Sequence, residues 1–190
     1  MQKRASRWTL GLLLYLAATG GRPALGLGEA ESAISNRTPG AVTDAAARQV
    51  FERFRTLAGG WRGRSTQGWT DRVVIRVIAA GSVVVATSEF EAHPDETMMT
   101  MYHLDGDRMM LTHYCVAKNQ PRLQATSVEN GGKKVAFSFR DGTNLASRNQ
   151  GHMDQVLFEF QDEDHFSSRW SFYKDGREDW MEEIRYERIR

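Results

Sequence analysis

The hydrophobic pattern of the chain changes near residue 60, from a helical period to a period of two. Before that point, four apolar residues recur at helical spacing: Val50, Phe51, Phe54 and Leu57. Thr43 or Asp44 can cap the first turn of this helix, and Ala58-Gly59-Gly60 ends it. The pattern therefore predicts one amphipathic helix over residues 43–57.

From Trp61 onward, apolar and polar residues alternate in short runs bounded by turn signals. Val73, Ile75 and Val77 share one parity, which is the pattern of a strand with one buried face. Four later runs do the same: Val135, Phe137 and Phe139; Val156, Phe158 and Phe160; Phe166, Trp170 and Phe172; Trp180, Ile184 and Tyr186. We count about ten strands in an antiparallel meander. Because a twisted open sheet of that size leaves exposed edges, the sequence predicts an all-β fold, an antiparallel up-and-down β-barrel preceded by the short helix.

The first 26 residues have the composition of a targeting segment. Its basic residues near the start are Lys3, Arg4 and Arg7. The apolar stretch over residues 9–18 is short for a membrane span, which needs about 20 residues. Ala24-Leu25-Gly26 offers a cleavage site, with Ala18-Thr19-Gly20 as an alternative. We predict a signal peptide over residues 1–26 and a secreted or periplasmic protein, and an uncleaved anchor helix is the alternative.

The remaining chain divides into a linker and one domain. Residues 27–42 are polar and contain Pro39, which predicts a flexible linker. Residues 43–190 have the length of a single domain, the helix and barrel, and we expect no stable membrane span in it after signal cleavage.

Signal cleavage would make the chain mildly acidic. It removes four basic residues and no acidic one, so Lys and Arg fall from 25 to 21 against 24 Asp and Glu, and the net charge changes from +1 to −3. The absence of a basic run argues against a nucleic-acid partner. The single cysteine, Cys115, excludes an internal disulfide.

The stretch from Met98 to Val116 has the most unusual composition. It holds five of the eight methionines, two of the five histidines and the only cysteine, in two strand-like runs joined by Asp105-Gly106-Asp107. Such a turn between β-compatible runs predicts a hairpin. Soft apolar side chains beside titratable ones suit a ligand cavity, although a barrel wall packed with methionine fits equally well.

The loop length of this hairpin is open, so His113 lies opposite Met98, Met99 or Thr100. In each register His103 lies roughly 10–17 Å away along the strand, too far for both histidines to hold one metal ion. An even loop places His113 and Cys115 on one face with a first set of residues: Tyr102, Leu104 and Leu111. An odd loop places them with a second set: Met99, Met101 and His103.

We predict ligand-binding residues around this hairpin and the barrel mouth: His113, Tyr102, Cys115, Leu111, Asn119, Gln120, His152 and Trp170. Asn119 and Gln120 follow the second strand of the hairpin, where their amides can reach a polar ligand end. His152 begins the strand after the longest loop. His113 and Cys115 have no recognisable third member of a catalytic triad, so we name no catalytic residue, metal site or cofactor.

The segment over residues 57–63, with Gly59 and Trp61 in a Gly-x-Trp motif, resembles the start of the calycins, in which the Trp plugs the closed end of the barrel. Residues 45–190 resemble an uncharacterised family of exported bacterial proteins with lipocalin-like barrels. The most specific phrases are residues 101–107, residues 111–115 and Asn119-Gln120-Pro121-Arg122.

Two departures from better-known relatives limit what the resemblance implies. Fatty-acid-binding proteins carry Arg-x-Tyr on the last strand, whereas Arg185 and Tyr186 are adjacent here and Tyr186-x-Arg188 reverses the order. Nitrobindin-like barrels hold haem through a histidine near the C-terminus, and no histidine follows His165. We therefore expect neither of these two binding modes.

Three functions are consistent with the sequence. The leading hypothesis is a binding protein for a small apolar or amphipathic molecule held in a barrel cavity. The alternatives are an enzyme that uses His113 as an acid or base, and an envelope interaction domain with a packed barrel and no ligand. The sequence leaves the ligand identity and the oligomeric state open.

Overall fold

The computed structural model describes residues 42–190, so the predicted signal peptide and all of the predicted linker except Val42 lie outside it. The described part contains one α-helix, α1 (Asp44–Thr56), and ten strands. The strands are β1 (Gly59–Ser65), β2 (Thr70–Ile78), β3 (Val83–Phe90), β4 (Thr97–Asp105), β5 (Arg108–Tyr114), β6 (Gln120–Glu129), β7 (Lys134–Thr143), β8 (His152–Phe160), β9 (His165–Lys174) and β10 (Arg177–Ile189).

The ten strands form a closed antiparallel barrel in which neighbours along the chain are neighbours in the sheet. β1 closes the barrel because it pairs with β2 on one side and with β10 on the other. The predicted all-β up-and-down barrel of about ten strands after one helix is therefore confirmed. In the described residues 42–190, no helix has the length and apolar character needed to cross a bilayer.

Helix α1 closes one end of the barrel. Thr43 is the residue that caps it, since its Oγ1 accepts a hydrogen bond from the Ala46 N–H at 3.1 Å. The helix buries Val50, Phe51 and Phe54 against the barrel interior, where the Phe54 ring lies 4.2 Å from the ring of Tyr102. The short turns β2–β3, β4–β5, β6–β7 and β8–β9 lie at this closed end.

Trp61 joins the helix to the first strand. Its indole is fully buried, and its Nε1–H donates a hydrogen bond to the Leu57 carbonyl at 2.7 Å. The Arg188 guanidinium lies 4.2 Å above the indole ring and donates to the carbonyls of Ala58 and Thr56. The last strand thus stabilises the C-terminus of the helix. The other five connections between strands lie at the opposite end of the barrel.

Candidate functional site

The β4–β5 hairpin sets the faces of the site residues. Asp105 pairs with Arg108 and Thr100 with His113, so Gly106 and Asp107 form a two-residue turn. In this even register His113 lies inside the barrel on the face of Tyr102. His103, in contrast, lies on the outer face, three positions beyond the partner of His113. The two histidines therefore face opposite sides of the sheet.

The barrel interior contains a cavity of about 340 Å³, at the lower end of the range of small-molecule pockets. Its deep wall is formed by apolar side chains: Phe54, Leu57, Val73, Ile75, Phe158, Phe166 and Ile184. Half-buried or exposed residues line it toward the open end: Phe90, His93, Cys115, Val116, Ala117, Met153, Phe172 and Met181. The cavity thus begins above the plug made by α1 and reaches the open end.

His113 lines the cavity, and only one of its two ring nitrogens has a hydrogen-bond partner among residues 42–190. The residue is 5% exposed. Its Nδ1 lies 2.9 Å from the Thr100 Oγ1, and its Nε2 has no hydrogen-bond partner among residues 42–190. Trp170 packs against it with ring centres 4.9 Å apart. Burial lowers the pKa of His113 to about 4, so the imidazole is neutral at pH 7.

A buried carboxyl group lies in the same cavity. Asp71 is 3% exposed, and it accepts hydrogen bonds from the Ser88 hydroxyl at 2.5 Å and the Tyr186 hydroxyl at 2.9 Å. Burial raises the pKa of Asp71, and these two hydrogen bonds, together with one from the Arg72 backbone, oppose the rise. Burial, together with the nearby Asp71 charge, raises the pKa of Tyr186.

Gly63 makes room for the ring of Tyr186. A Cβ at Gly63 would lie 2.7 Å from the Tyr186 Cε1 and 2.8 Å from the Ile184 Cγ2, distances that ordinary packing does not allow. The missing side chain on β1 lets the tyrosine ring lie flat against the wall and reach Asp71 on β2.

A β-bulge on β10 brings a second carboxyl group to the cavity. The pairing with β9 shifts between Trp180 and Glu182, and such a bulge re-aims the side chains of its strand. As a result the consecutive residues Met181 and Glu182 both line the cavity. Burial raises the pKa of Glu182.

The structure brings together four of the eight predicted binding residues. Tyr102, His113, Cys115 and Trp170 line the cavity. Burial raises the pKa of the Cys115 thiol, which keeps it protonated and weakly nucleophilic. Leu111 is fully buried in the core beside this group but does not line the cavity.

The other three predicted residues stabilise the loop between β7 and β8 and do not line the cavity. The Asn119 Nδ2 donates to the Gly151 carbonyl at 2.8 Å, the Gln120 Oε1 accepts from the Thr143 hydroxyl at 2.5 Å, and the His152 Nδ1 lies 2.6 Å from the Gln150 carbonyl. These bonds lie where β7 and β8 separate, beyond Ser138 and Gln155, the last pair at that end. The buried Asn119 Oδ1, in contrast, has no hydrogen-bond partner among residues 42–190.

Arg148 fills the gap left by this separation. Its guanidinium lies 3.9 Å from the Tyr173 ring centre and 4.6 Å from that of Phe139. Its Nη2 donates to the Asp154 carboxylate at 2.6 Å, and its Nη1 contacts the His152 Nε2. His152 therefore belongs to a structural cluster around Arg148.

Sequence reasoning missed Asp71 and Ser88. Both were detectable from parity, because Asp71 is in phase with Val73 and Ile75 on β2 and Ser88 is in phase with Ala86 on β3. A polar residue on the interior parity of a barrel strand is the signal that identifies them.

No family model matches the chain, and no curated protein matches it. Among solved structures, it is similar to the crystal structure of Rv2717c from M. tuberculosis, with a TM-score of 0.49 and 14% identity over 74% of this chain and 98% of that one. It is also similar to a protein of unknown function from the DUF3598 family of Nostoc punctiforme, with a TM-score of 0.44 and 14% identity over 72% of this chain. The chain spans about half of that second protein, 49% of its length. These similarities assign neither a family nor a ligand to the chain.

Proposed function

We propose that the protein binds a small apolar or amphipathic molecule in the barrel cavity. The observation that carries this proposal is an apolar cavity of about 340 Å³ lined by a buried histidine whose Nε2 has no partner among residues 42–190. Protein interiors are close-packed and contain few voids larger than a water molecule. An unpartnered buried polar atom costs about 1–3 kcal/mol, and a ligand hydrogen bond to Nε2 would recover part of that cost.

The placement of the cavity supports binding over a purely structural barrel. The aromatic cluster around Phe54 fills the closed end, where its ring centre lies 5.1 Å from that of Phe158. The cavity extends from this cluster to the part that opens toward the loops, where a ligand can enter. A packed interaction domain, the third hypothesis, would be expected to fill this part of the interior as well.

The ionisation of His113 favours binding over acid–base catalysis by this residue. An acid or base works best when its pKa is near the operating pH, whereas burial lowers the pKa of His113 to about 4. At neutral pH such an imidazole has almost no proton to donate and is a weak base. The buried thiol of Cys115, with its raised pKa, adds no nucleophile.

Fluorescence with N-phenylnaphthylamine, a neutral dye that becomes bright in apolar surroundings, tests the proposal. We expect the full chain to bind the dye and octanol to displace it. Ala86 lines the cavity, so Ala86→Phe should fill the space and abolish binding. Thr87→Phe places the same ring on the opposite face of β3, so this variant should still bind the dye. An absence of dye binding by the wild type, or equal binding by a folded Ala86→Phe protein, would contradict the proposal.

We also propose that the protein is exported. The basic residues before residue 8, the short apolar stretch and the small residues near Gly26 support a cleaved signal peptide. Expression of the full chain in a bacterium with a periplasm, followed by mass measurement, tests this. The mass of a chain that begins at Leu27 or Gly21 is expected in the periplasm or medium, and a full-length protein retained in the cytoplasm would contradict export.

A further inference from the structure

We propose that the preferred ligand of the cavity is a cation, namely a small amphiphile with a protonated amine that Asp71 and Glu182 recognise. This inference rests on the proposed binding function and names its ligand class.

The charges that line the cavity are of one sign. Asp71 and Glu182 are carboxyl groups, and no Lys or Arg of residues 42–190 lines the cavity. Buried acidic side chains are normally paired with a cation. Asp71 is bonded instead to two neutral hydroxyls and the Arg72 backbone N–H, and the half-buried Glu182 makes no ion pair or side-chain hydrogen bond within residues 42–190. A ligand with a positive charge would supply the missing partner.

The burial of the two carboxyl groups is consistent with this conclusion. Burial, nearly complete at Asp71 and partial at Glu182, raises the pKa of both carboxyl groups, so each carboxylate would gain from a cationic partner. An ammonium group next to a carboxylate forms a charge-assisted hydrogen bond, which is roughly twice as strong as a neutral one. The cavity therefore gains more from a cation than from an uncharged ligand.

Two further features of the lining suit an ammonium group and an attached chain. The aromatic residues Phe90, Trp170 and Phe172 line the cavity, where Phe90 pairs with Asp71 and Trp170 with Glu182 across neighbouring strands, and aromatic faces attract cations. The unpartnered Nε2 of His113 belongs to the same lining, and burial keeps this ring uncharged at pH 7, so it adds no positive charge that would repel an amine. The apolar deep wall then receives the alkyl chain.

The same lining disfavours an anion. A fatty-acid carboxylate would lie beside Asp71 without a basic side chain to neutralise either group, and two unpaired buried carboxylates repel each other. Octylamine, octanol and octanoate form a matched set of probes because they share one chain length and differ in the charge of the head group.

Competition of these three compounds against N-phenylnaphthylamine at pH 7 tests the inference with the full chain. We expect octylamine to bind about tenfold or more tightly than octanol, since a charged hydrogen bond exceeds a neutral one by about 1.4 kcal/mol, and octanoate to bind most weakly. If octanol or octanoate matches octylamine, this inference is wrong and the binding function stands. If neither the dye nor any of the three compounds binds, the proposed binding function itself is wrong.

Variants that replace a carboxylate by a carboxamide show which side chains recognise the amine. Asp71→Asn and Glu182→Gln each remove one negative charge with little change in shape, and Glu187→Gln does the same at an exposed position of β10. The ratio of octylamine to octanol affinity is the readout, because general damage to the cavity lowers both affinities. We expect this ratio to fall about tenfold in Asp71→Asn, to fall in Glu182→Gln, and to remain unchanged in Glu187→Gln. An unchanged ratio in the folded cavity variants overturns the proposal, and Glu182→Gln alone decides it if Asp71→Asn does not fold.

Discussion

The neutral state of His113 makes the stability of the barrel depend on pH in a way that a single substitution isolates. The folded protein holds this ring inside an apolar wall, where burial lowers its pKa to about 4 from the ordinary 6.5. The unfolded chain therefore binds more protons than the folded one between these two values. Stability contributed by the neutral ring is fully present above pH 6.5 and is lost as the pH falls toward about 4.

The expected size of this effect follows from the two pKa values. A difference of about 2.5 pKa units at 1.36 kcal/mol per unit gives roughly 3 kcal/mol as the limiting loss. About 2 kcal/mol of this stability is lost between pH 7.5 and pH 5, and the rest is lost at lower pH. His113→Gln removes the titrating group but keeps an amide that can bond to the Thr100 hydroxyl, so this part of the pH dependence should disappear.

Urea unfolding followed by tryptophan fluorescence measures the free energy of unfolding of both proteins from pH 7.5 to pH 5. Asp71 and Glu182 titrate in both proteins, so their contributions cancel in the difference between wild type and variant. We expect this difference to change by about 2 kcal/mol across the range, in favour of the variant at low pH. Parallel curves for the two proteins would refute the placement of His113 as a buried neutral ring.

Three other substitutions test the packing and the hydrogen bonding around the cavity. Gly63→Ala places a methyl group 2.7 Å from the ring of Tyr186 and should cost about 1–3 kcal/mol of stability in thermal unfolding; in Gly60→Ala the nearest contact is 3.6 Å, and an equal loss there would contradict the argument. Tyr186→Phe removes one of the hydroxyls that bond to Asp71 and should raise the pKa of this carboxyl further, measured by carbon-13 NMR titration, where an unchanged or lowered pKa would count against the bond. Phe54→Ala should cost about 3–5 kcal/mol of stability, and a loss below about 1 kcal/mol in urea unfolding would show that the helix does not plug the barrel.

The barrel was predictable because each strand alternates between an inner and an outer face. Val73 and Ile75 on β2, or Val156 and Phe158 on β8, show this alternation directly, and the structure buries all four. The hairpin register was not predictable, because Asp105-Gly106-Asp107 accommodates turns centred at neighbouring positions. The pairing of Thr100 with His113 and the burial of Tyr102 and Leu111 select one of them.

The candidate site was predictable only in part, since its polar contacts join strands that are far apart in the sequence. Asp71 bonds to Ser88, 17 residues away, and to Tyr186, 115 residues away. No local pattern shows that these two hydroxyls partly offset the burial of a carboxyl group. In the same way, the sequence predicted that the amide of Asn119 could bind a ligand, whereas its Nδ2 donates to the carbonyl of Gly151, 32 residues away.

The methionines allow the most direct measurement of ligand entry into the cavity. Met98, Met153 and Met181 line the cavity, whereas Met109 and Met110 are buried outside its lining. With carbon-13 labelled methionine methyl groups, saturating octylamine or octanol should shift the NMR signals of the first three residues and leave those of Met109 and Met110 nearly unchanged. Unchanged signals for all five, or shifts at Met109 and Met110 alone, would contradict the proposal that this barrel holds a small amphiphile.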